Sequence, residues 1–203
     1  MMEFAELCAK THYSFLRGAS TPGEMIERAS ELGLRALGIT DRHGVYGIPR
    51  AYEAAKKFPA LKLIVGSELS LESLPYIGLL SINRKGYGLM CRLLSASHEG
   101  REKGEAALSW VRFTEFLQDP RYQEGREGLI ALPHWYEKSE KFFDYDELTQ
   151  IFEDRIYFPL FRAIDGKDHE RTDEALRLSR HYGVPLLATA DPHFHRRERR
   201  NLQ

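Results

Sequence analysis

The residue types near the C-terminal end of the chain favour metal or acid–base chemistry. The stretch "ATADPHFHRRERR", from Ala188 to Arg200, places Asp191, His193 and His195 within five residues. A carboxylate and two imidazoles at this spacing suit a zinc, manganese or iron ion, and they also suit a general base. The D-x-H pattern also occurs by chance, and a polar strand end beside a basic helix has the same residues. The spacing by itself leaves these three interpretations open.

Further candidate residues follow the strands that the sequence predicts. Short apolar runs predict seven strands, at 5–10, 36–40, 62–68, 76–82, 129–133, 156–163 and 185–191. Continuous apolar runs of this length are typical of strands buried on both faces. If the strands are parallel, their carboxyl ends meet at one edge, where functional groups collect in α/β proteins. The candidate residues at these ends are Asp41, Arg42, His43, Glu68, His134, Asp191, His193 and His195.

Amphipathic segments lie between most of these strands and predict helices. Thr21, Pro22 and Glu24 form the pattern of a capping box, and Gly33 marks the end of that helix. Further helices are predicted within 48–58, 85–100, 143–155 and 168–183. The region 100–128 predicts a surface insertion with one short helix. Strands that alternate with helices predict an α/β fold, either a barrel or a doubly wound sheet.

Composition and charge narrow the class of protein. The chain has 203 residues, of which 42% are hydrophobic and 29% are charged, as is ordinary for a soluble domain. The net charge of −1 provides no global attraction to nucleic acid or membrane, although local patches can still bind DNA. The two cysteines, Cys8 and Cys91, fit a reducing compartment better than a disulfide scaffold. With no visible secretory signal or membrane span, we expect a cytoplasmic protein without a membrane partner.

Five stretches of the chain resemble the PHP domain, the polymerase-and-histidinol-phosphatase domain at the start of bacterial DNA polymerase III alpha subunits. They are "THYSFLRGAS", "LGITDRHGVYGIPRAYEAAKKF", "LKLIVGSELSL", "SINRKGYGLMCRLLSASH" and "PLLATADPHFHRRERRNLQ". Within the family, "SFLRGAS" and the closing "DPHFHRRERRNLQ" are most similar to error-prone DnaE-type polymerases. The resemblance implies a distorted seven-stranded, TIM-like α/β barrel. It also implies that 1–203 is one PHP domain from the N-terminal part of a longer polymerase chain.

The resemblance further implies which positions would hold metal ions. Active members carry up to three metals at the carboxyl ends of the strands, where they support phosphoester hydrolysis. Matching ligand residues remain at Asp41, Glu68, Asp191 and His193. Possible further ligands are Cys8, His43, His98 and His134. Cations stand where the family has other ligands: Lys10 in the H-x-H pair, Arg17 before the glycine of the first motif, and Arg42 in the T-D-H motif.

These cations predict that ion pairs replace the metal cluster. Several buried carboxylates without a counterion would be very unfavourable, and an ammonium or guanidinium group can neutralise them. The first hypothesis is therefore a structural PHP domain, with no metal or a partial zinc or manganese site, that packs against the polymerase core of its parent chain. That chain could also contact DNA, and "HRRERR" is either an exposed helix start or a contact to phosphates.

Two other hypotheses keep an enzymatic role. In the second, Asp191 and His193 hold one metal, with Asp41, Glu68 and optionally His134, and the metal activates water for hydrolysis of DNA 3′ ends or small phosphate monoesters. In the third, the chain is a free-standing enzyme such as a histidinol-phosphate phosphatase. The intact D-x-H motif favours the second hypothesis, and the altered H-x-H pair disfavours it. The stretch "GYGLMCRLLSASH" disfavours the third, because it resembles the polymerases.

Overall fold

The computed structural model describes residues 4–102, 104–136 and 142–202, and the chain divides into two compact units. The first unit comprises the residues up to Ser67 together with the segment from Ala190 onward, and the second comprises Glu68–Thr189. Seven β-strands and seven α-helices occur within the described ranges, in the α/β arrangement that the sequence predicts. No helix in these ranges is long and apolar enough to cross a membrane.

Parallel strands position the candidate residues of the first unit. The strands are β1 (Ala5–Ala9), β2 (Ala36–Ile39) and β3 (Lys62–Leu69), the last of which runs on into the second unit. Leu37 of β2 lies opposite Glu6 of β1 and Leu63 of β3, and both pairings are parallel. The carboxyl ends of β1 and β2 therefore lie at the same edge, as the sequence analysis assumed.

Two helices cover the apolar side of this unit. They are α1 (Pro22–Glu31) and α2 (Ile48–Ala55), and their buried residues Ile26 and Ala51 pack in one cluster with Leu37 and Ile39. The predicted capping box begins α1, because the Thr21 hydroxyl accepts a hydrogen bond from the backbone N–H of Glu24 at 3.2 Å and the Glu24 carboxylate accepts one from the backbone N–H of Thr21 at 2.8 Å. Local sequence chemistry thus decides where α1 begins.

The second unit corrects one assumption about strand direction. Its strands are β4 (Ile77–Ser81), β5 (Leu129–Pro133), β6 (Phe158–Leu160) and β7 (Leu186–Ala188). The strand order is β1-β2-β3-β4-β5 in one sheet and β6-β7 in a second. Strands β6 and β7 are parallel, but β4 and β5 pair antiparallel. The assumption of parallel strands therefore does not hold for this pair, because an apolar run does not encode the direction of its strand.

The helices of the second unit correct the prediction for 100–128, of which residue 103 lies outside the described residues. The α-helices are α3 (Arg84–His98), α4 (Trp110–Gln118), α5 (Gln123–Glu127), α6 (Tyr145–Phe152) and α7 (Asp168–Tyr182). A 3-10 helix, Pro120–Tyr122, lies between α4 and α5. One short helix was predicted where two α-helices stand. The Ser109 side chain caps α4, and Phe113 and Leu117, one turn apart, are fully buried.

Candidate functional site

Lys10 lies directly after β1 and is only 1% exposed, although lysine is rarely buried. Its Nζ atom donates to the backbone oxygen of Cys8 at 2.8 Å and to the hydroxyl of Thr40 at 3.0 Å. A third, longer contact of 3.3 Å joins Nζ to Oδ1 of Asp191. These contacts match the three donors of an ammonium group. The structure thus brings together a predicted cation and a predicted metal ligand.

Asp191 and His193 remain neighbours at the start of the C-terminal segment. The Nε2 atom of His193 is 3.7 Å from Oδ2 of Asp191, and both side chains are mostly buried. Asp191 has a φ of 44°, in the left-handed region that residues other than glycine seldom adopt. Two backbone hydrogen bonds hold the segment at the pair itself: the N–H of Lys10 donates to the carbonyl of Pro192, and the N–H of Ala19 donates to the carbonyl of His193. The segment therefore fixes the strained backbone that positions Asp191.

Asp41 is satisfied by neutral donors. Its carboxylate is 2% exposed and follows β2. Oδ1 accepts hydrogen bonds from the backbone N–H of Thr11 at 2.7 Å and from the hydroxyl of Ser14 at 2.6 Å. Oδ2 accepts a hydrogen bond from the hydroxyl of Thr11 at 2.7 Å. Sequence reasoning missed Thr11 and Ser14, because it assigned cations to the acidic positions and did not consider hydroxyl donors.

The two predicted arginines lie on the loops that hold Asp41. Arg17 and Arg42 are both half-buried. Their backbone N–H groups bond to Ser14: that of Arg17 to its carbonyl at 2.9 Å, and that of Arg42 to its hydroxyl at 3.1 Å. His43, the next residue, is half-buried with a φ of 56°. The backbone places these three residues at the predicted edge, and a metal-replacing role for the arginine side chains stays a prediction.

Glu68 and His134 form a pair in the second unit. Both are almost fully buried, and the Nε2 atom of His134 is 3.4 Å from Oε1 of Glu68. The backbone N–H of His134 donates to Tyr76, and its ring stacks on Tyr136 with 5.4 Å between ring centroids. His98, in contrast, is exposed in the last turn of α3. The structure thus brings together two of the predicted ligands of this unit.

Glu6 is a buried carboxylate that the sequence reasoning missed. It is 2% exposed in β1, and Oε1 accepts a hydrogen bond from the backbone N–H of Cys8 at 2.8 Å. Oε2 accepts one from the backbone N–H of Ala190 at 2.7 Å. Because side chains alternate along a strand, Glu6 shares a face of β1 with the buried Cys8, and the same spacing leads on to Lys10. The alternation of side chains along β1, which repeats every two residues, was the sequence signal that could have identified Glu6.

His195 and the basic run attach the C-terminal segment to α1 and its preceding loop. The Nδ1 atom of His195 lies 2.8 Å from the hydroxyl of Ser20. The guanidinium of Arg199 pairs with Glu24, and that of Arg196 lies 3.9 Å from Glu31. The run continues as a 3-10 helix from Arg197 to Leu202. These contacts fit the interpretation of an exposed helix start, and a contact with phosphates stays a prediction.

The described residues do not fit a metal cluster. Within 4–102, 104–136 and 142–202, no group of three or more His, Cys, Asp or Glu side chains is arranged to hold a metal ion. The ammonium of Lys10 lies against Asp191, where a metal would need an open carboxylate oxygen. Both oxygens of Asp41 already accept hydrogen bonds from Thr11. In this chain the ammonium of Lys10 lies against Asp191 and neutral donors bind Asp41, and these are two of the carboxylates that the resemblance predicts as metal ligands.

Comparison with known proteins identifies the family to which the sequence belongs. The sequence pattern that defines the PHP domain matches residues 6–176, which is most of the chain. The chain belongs to the PHP domain family. The resemblance seen in the sequence is thereby confirmed.

Curated relatives of this PHP domain include error-prone DNA polymerases. It is 36% identical to error-prone DNA polymerase 1 of Agrobacterium fabrum over 203 residues, which cover 98% of this chain and 18% of that protein. It is 37% identical to the error-prone DNA polymerase of Pseudomonas fluorescens over 204 residues, which cover 100% of this chain and 19% of that protein. The PHP domain described here spans about a fifth of the length of the curated relatives it matches.

Solved structures confirm the α/β PHP fold. A chain from Bifidobacterium adolescentis, described as a candidate metal-dependent phosphoesterase, matches with a TM-score of 0.67 at 12% identity and covers 95% of this chain and 88% of that chain. The lesion-specific endonuclease Q of Pyrococcus furiosus matches with a TM-score of 0.60 at 16% identity and covers 96% of this chain and 49% of that chain. At such low sequence identities, the structural similarity establishes the shared fold of this PHP domain but not a shared chemical activity.

Proposed function

We propose that this PHP domain is a non-catalytic structural module of an error-prone DNA polymerase, a single domain in the N-terminal part of a longer chain. Its sequence relatives include error-prone polymerases, which supports the proposal that the parent chain is such a polymerase. The main support for a loss of catalysis is the buried contact between the ammonium of Lys10 and Asp191. The proposal predicts two partners, the polymerase core of the parent chain and, through that core, DNA.

The chemistry of Lys10 explains why catalysis would be lost while the fold is kept. A divalent metal neutralises carboxylates, and it also lowers the pKa of water and polarises a phosphoryl oxygen. An ammonium group provides the first effect, because its charge and three donors satisfy nearby oxygens. It has no open coordination position, so it provides neither of the other two effects. An ammonium group in place of a metal therefore stabilises the buried carboxylate of Asp191 but does not activate water.

Metal content and hydrolysis together test this proposal. The purified chain is incubated with zinc or manganese, freed of loosely bound ions by gel filtration, and measured by elemental analysis. Hydrolysis of an aryl phosphate and of a DNA 3′ end is assayed on the same samples. We expect less than one metal ion per chain and no hydrolysis above the buffer rate. Two or more tightly bound ions per chain would refute the proposal.

A pair of lysine variants sharpens the test. Cys8→His with Lys10→His restores the H-x-H pair, and we expect this double variant to bind more metal than the natural chain. Lys56→His, at an exposed lysine that pairs with Glu53, is the matched control and should leave the metal content unchanged. The contact between Asp191 and His193 favours the alternative, a reduced-site phosphoesterase. Hydrolysis by the natural chain that disappears in Asp191→Ala would establish that alternative.

A further inference from the structure

Helix α3 carries more positive charge than its own stability explains. Between Arg84 and His98 it contains three cations, Arg84, Lys85 and Arg92, and no acidic residue. Arg84 and Lys85 stand in the first turn, where the helix dipole disfavours positive charge. Lys85 pairs with Glu124, whereas within the described part of the chain no carboxylate lies in ion-pair contact with the exposed Arg84 or Arg92. These two arginines are therefore available to an anionic ligand.

Two glycines in the same helix differ in what requires them. A Cβ atom on Gly86 would lie 1.8 Å from the backbone oxygen of Gly128, so packing excludes a side chain there. A Cβ atom on Gly88 would meet nothing within 4 Å. Glycine inside a helix is about 1 kcal/mol less favourable than alanine. Neither packing nor helix stability accounts for Gly88, whose effect is to keep the space beside α3 open.

That space is a surface cavity of about 820 Å³ between α3, α4 and the 3-10 helix Pro120–Tyr122. Gly88 and Arg92 line it on α3, and Phe116 and Tyr122 line it on the opposite side. The rings of Phe116 and Tyr122 stack with 5.8 Å between centroids, and the guanidinium of Arg92 is 5.4 Å from the Tyr122 centroid. Aromatic faces beside a guanidinium are the surfaces on which nucleobases stack.

The cavity continues past the aromatic pair. A second depression of about 270 Å³ shares Phe116, Tyr122 and Arg112 with the first. Arg112 pairs with Glu99 and Arg121 with Asp119, so their charges are already neutralised. The uncompensated positive charge of this surface thus lies on α3, beside the aromatic floor. A groove of this kind suits an extended ligand better than a compact one.

We propose that this groove binds a short segment of single-stranded DNA. Arg84, Gly88 and Arg92 follow one another at intervals of four residues and form a ridge about 12 Å long, from the helical rise of 1.5 Å per residue. The two arginines hold two phosphates of the strand along the ridge, and bases enter over Gly88 to stack on the Phe116–Tyr122 pair. The choice of DNA among phosphate-bearing strands rests on the proposed polymerase function. The groove is independent of the Lys10 contacts, so either proposal can fail without the other.

Fluorescence anisotropy of a labelled oligothymidylate, with the 203-residue chain and EDTA present, tests the proposal. We expect binding that weakens with salt, with a slope of log K against log [salt] of about −1.4 for two phosphate contacts on a single strand. Gly88→Glu fills the entrance with a carboxylate and should weaken binding at least tenfold, as should Arg92→Glu. Lys57→Glu, at an exposed lysine that does not line the groove, is the matched charge-reversal control and should leave binding unchanged.

Two further arms distinguish binding in this groove from binding elsewhere on the chain and from binding of a single nucleotide. Arg197→Gln with Arg200→Gln removes two exposed charges of the C-terminal segment and should leave the affinity unchanged. Thymidine monophosphate should fail to displace the oligonucleotide at an equal nucleotide concentration. The proposal is overturned if the natural chain does not bind, if Gly88→Glu binds as the natural chain does, or if the monophosphate displaces the strand. Loss of binding only in the Arg197 and Arg200 variant would move the site to the C-terminal segment.

Discussion

At the scale of single residues, the first unit uses two different ways to keep carboxylates buried. Asp191 faces the ammonium of Lys10, so an ionic contact contributes to its compensation. Asp41 instead accepts hydrogen bonds from Thr11 and Ser14, with no full opposite charge involved. Several hydrogen bonds to a carboxylate stabilise its charged form as a nearby cation does. A cation and neutral hydrogen-bond donors can therefore each compensate a buried carboxylate in this unit.

Lys10→Met tests the ionic contact. We expect the free energy of unfolding to fall by about 3 kcal/mol, the lower end for removing one partner of a buried pair. We expect the lower end of this energy range because the side chain of Asp191 is still 16% exposed to solvent. Urea denaturation at neutral pH measures the change. Adding Asp191→Asn to Lys10→Met should recover part of the loss, and a single-variant change below about 0.5 kcal/mol would contradict a counterion role.

At the scale of elements, the start of α1 is also an attachment point for the C-terminal segment. Glu24 accepts hydrogen bonds from the backbone and hydroxyl of Thr21, and it pairs with Arg199. Burial acts to raise the pKa of Glu24, but the Thr21 hydrogen bonds and the charge of Arg199 outweigh it and hold the pKa below its usual value of 4.5. One carboxylate thus couples a helix cap to a segment far away in the sequence.

The depressed pKa of Glu24 predicts a pH dependence of stability. Because the folded pKa is the lower one, the contribution of Glu24 is fully present above pH 4.5 and is lost as the pH falls through the folded value. Glu24→Gln should therefore lower the melting temperature at pH 7 and have a progressively smaller effect in acid. Glu27→Gln, at an exposed position of the same helix, is the control and should show no such trend. A difference between natural chain and Glu24→Gln that is constant with pH would contradict the prediction.

At the scale of the whole molecule, Glu6 joins the two ends of the chain within the first unit. Its carboxylate bonds to the backbone of Cys8 and to that of Ala190, which is 184 residues further on. The segment that begins at Ala190 also carries Asp191, the partner of Lys10. Closure of the first unit by the C-terminal segment therefore depends on one buried acid that makes no part of the D-x-H motif.

Glu6→Gln tests this closure. A glutamine has one acceptor oxygen, so one of the two backbone N–H groups would face the amide nitrogen and lose its partner. We expect a loss of about 1–3 kcal/mol, the usual effect of one buried unsatisfied donor. Hydrogen exchange should show faster exchange at Cys8 or Ala190. The exposed Glu53→Gln serves as the control, and equal stability of the two variants would argue against a role in closure.

The sequence could predict the features that depend on neighbouring residues. The seven apolar runs, the Thr21 capping box and the PHP motifs all lie in short stretches, and the structure and the comparisons confirm them. The direction of β4 and the helix α5 were not predictable in this way. An apolar run reads the same in either strand direction, and five residues of helix leave almost no periodic pattern.

What the sequence determined by itself is therefore the set of elements, the family, and the presence of Lys10 where the family has a histidine. Only the tertiary structure decided which groups meet: Lys10 with an aspartate 181 positions away, Asp41 with hydroxyls 27 and 30 positions away, and Glu6 with the backbone of Ala190. The physical reason is that charge compensation depends on distances of a few ångströms between distant parts of the chain. Strand register and loop closure set those distances, and no local pattern records them.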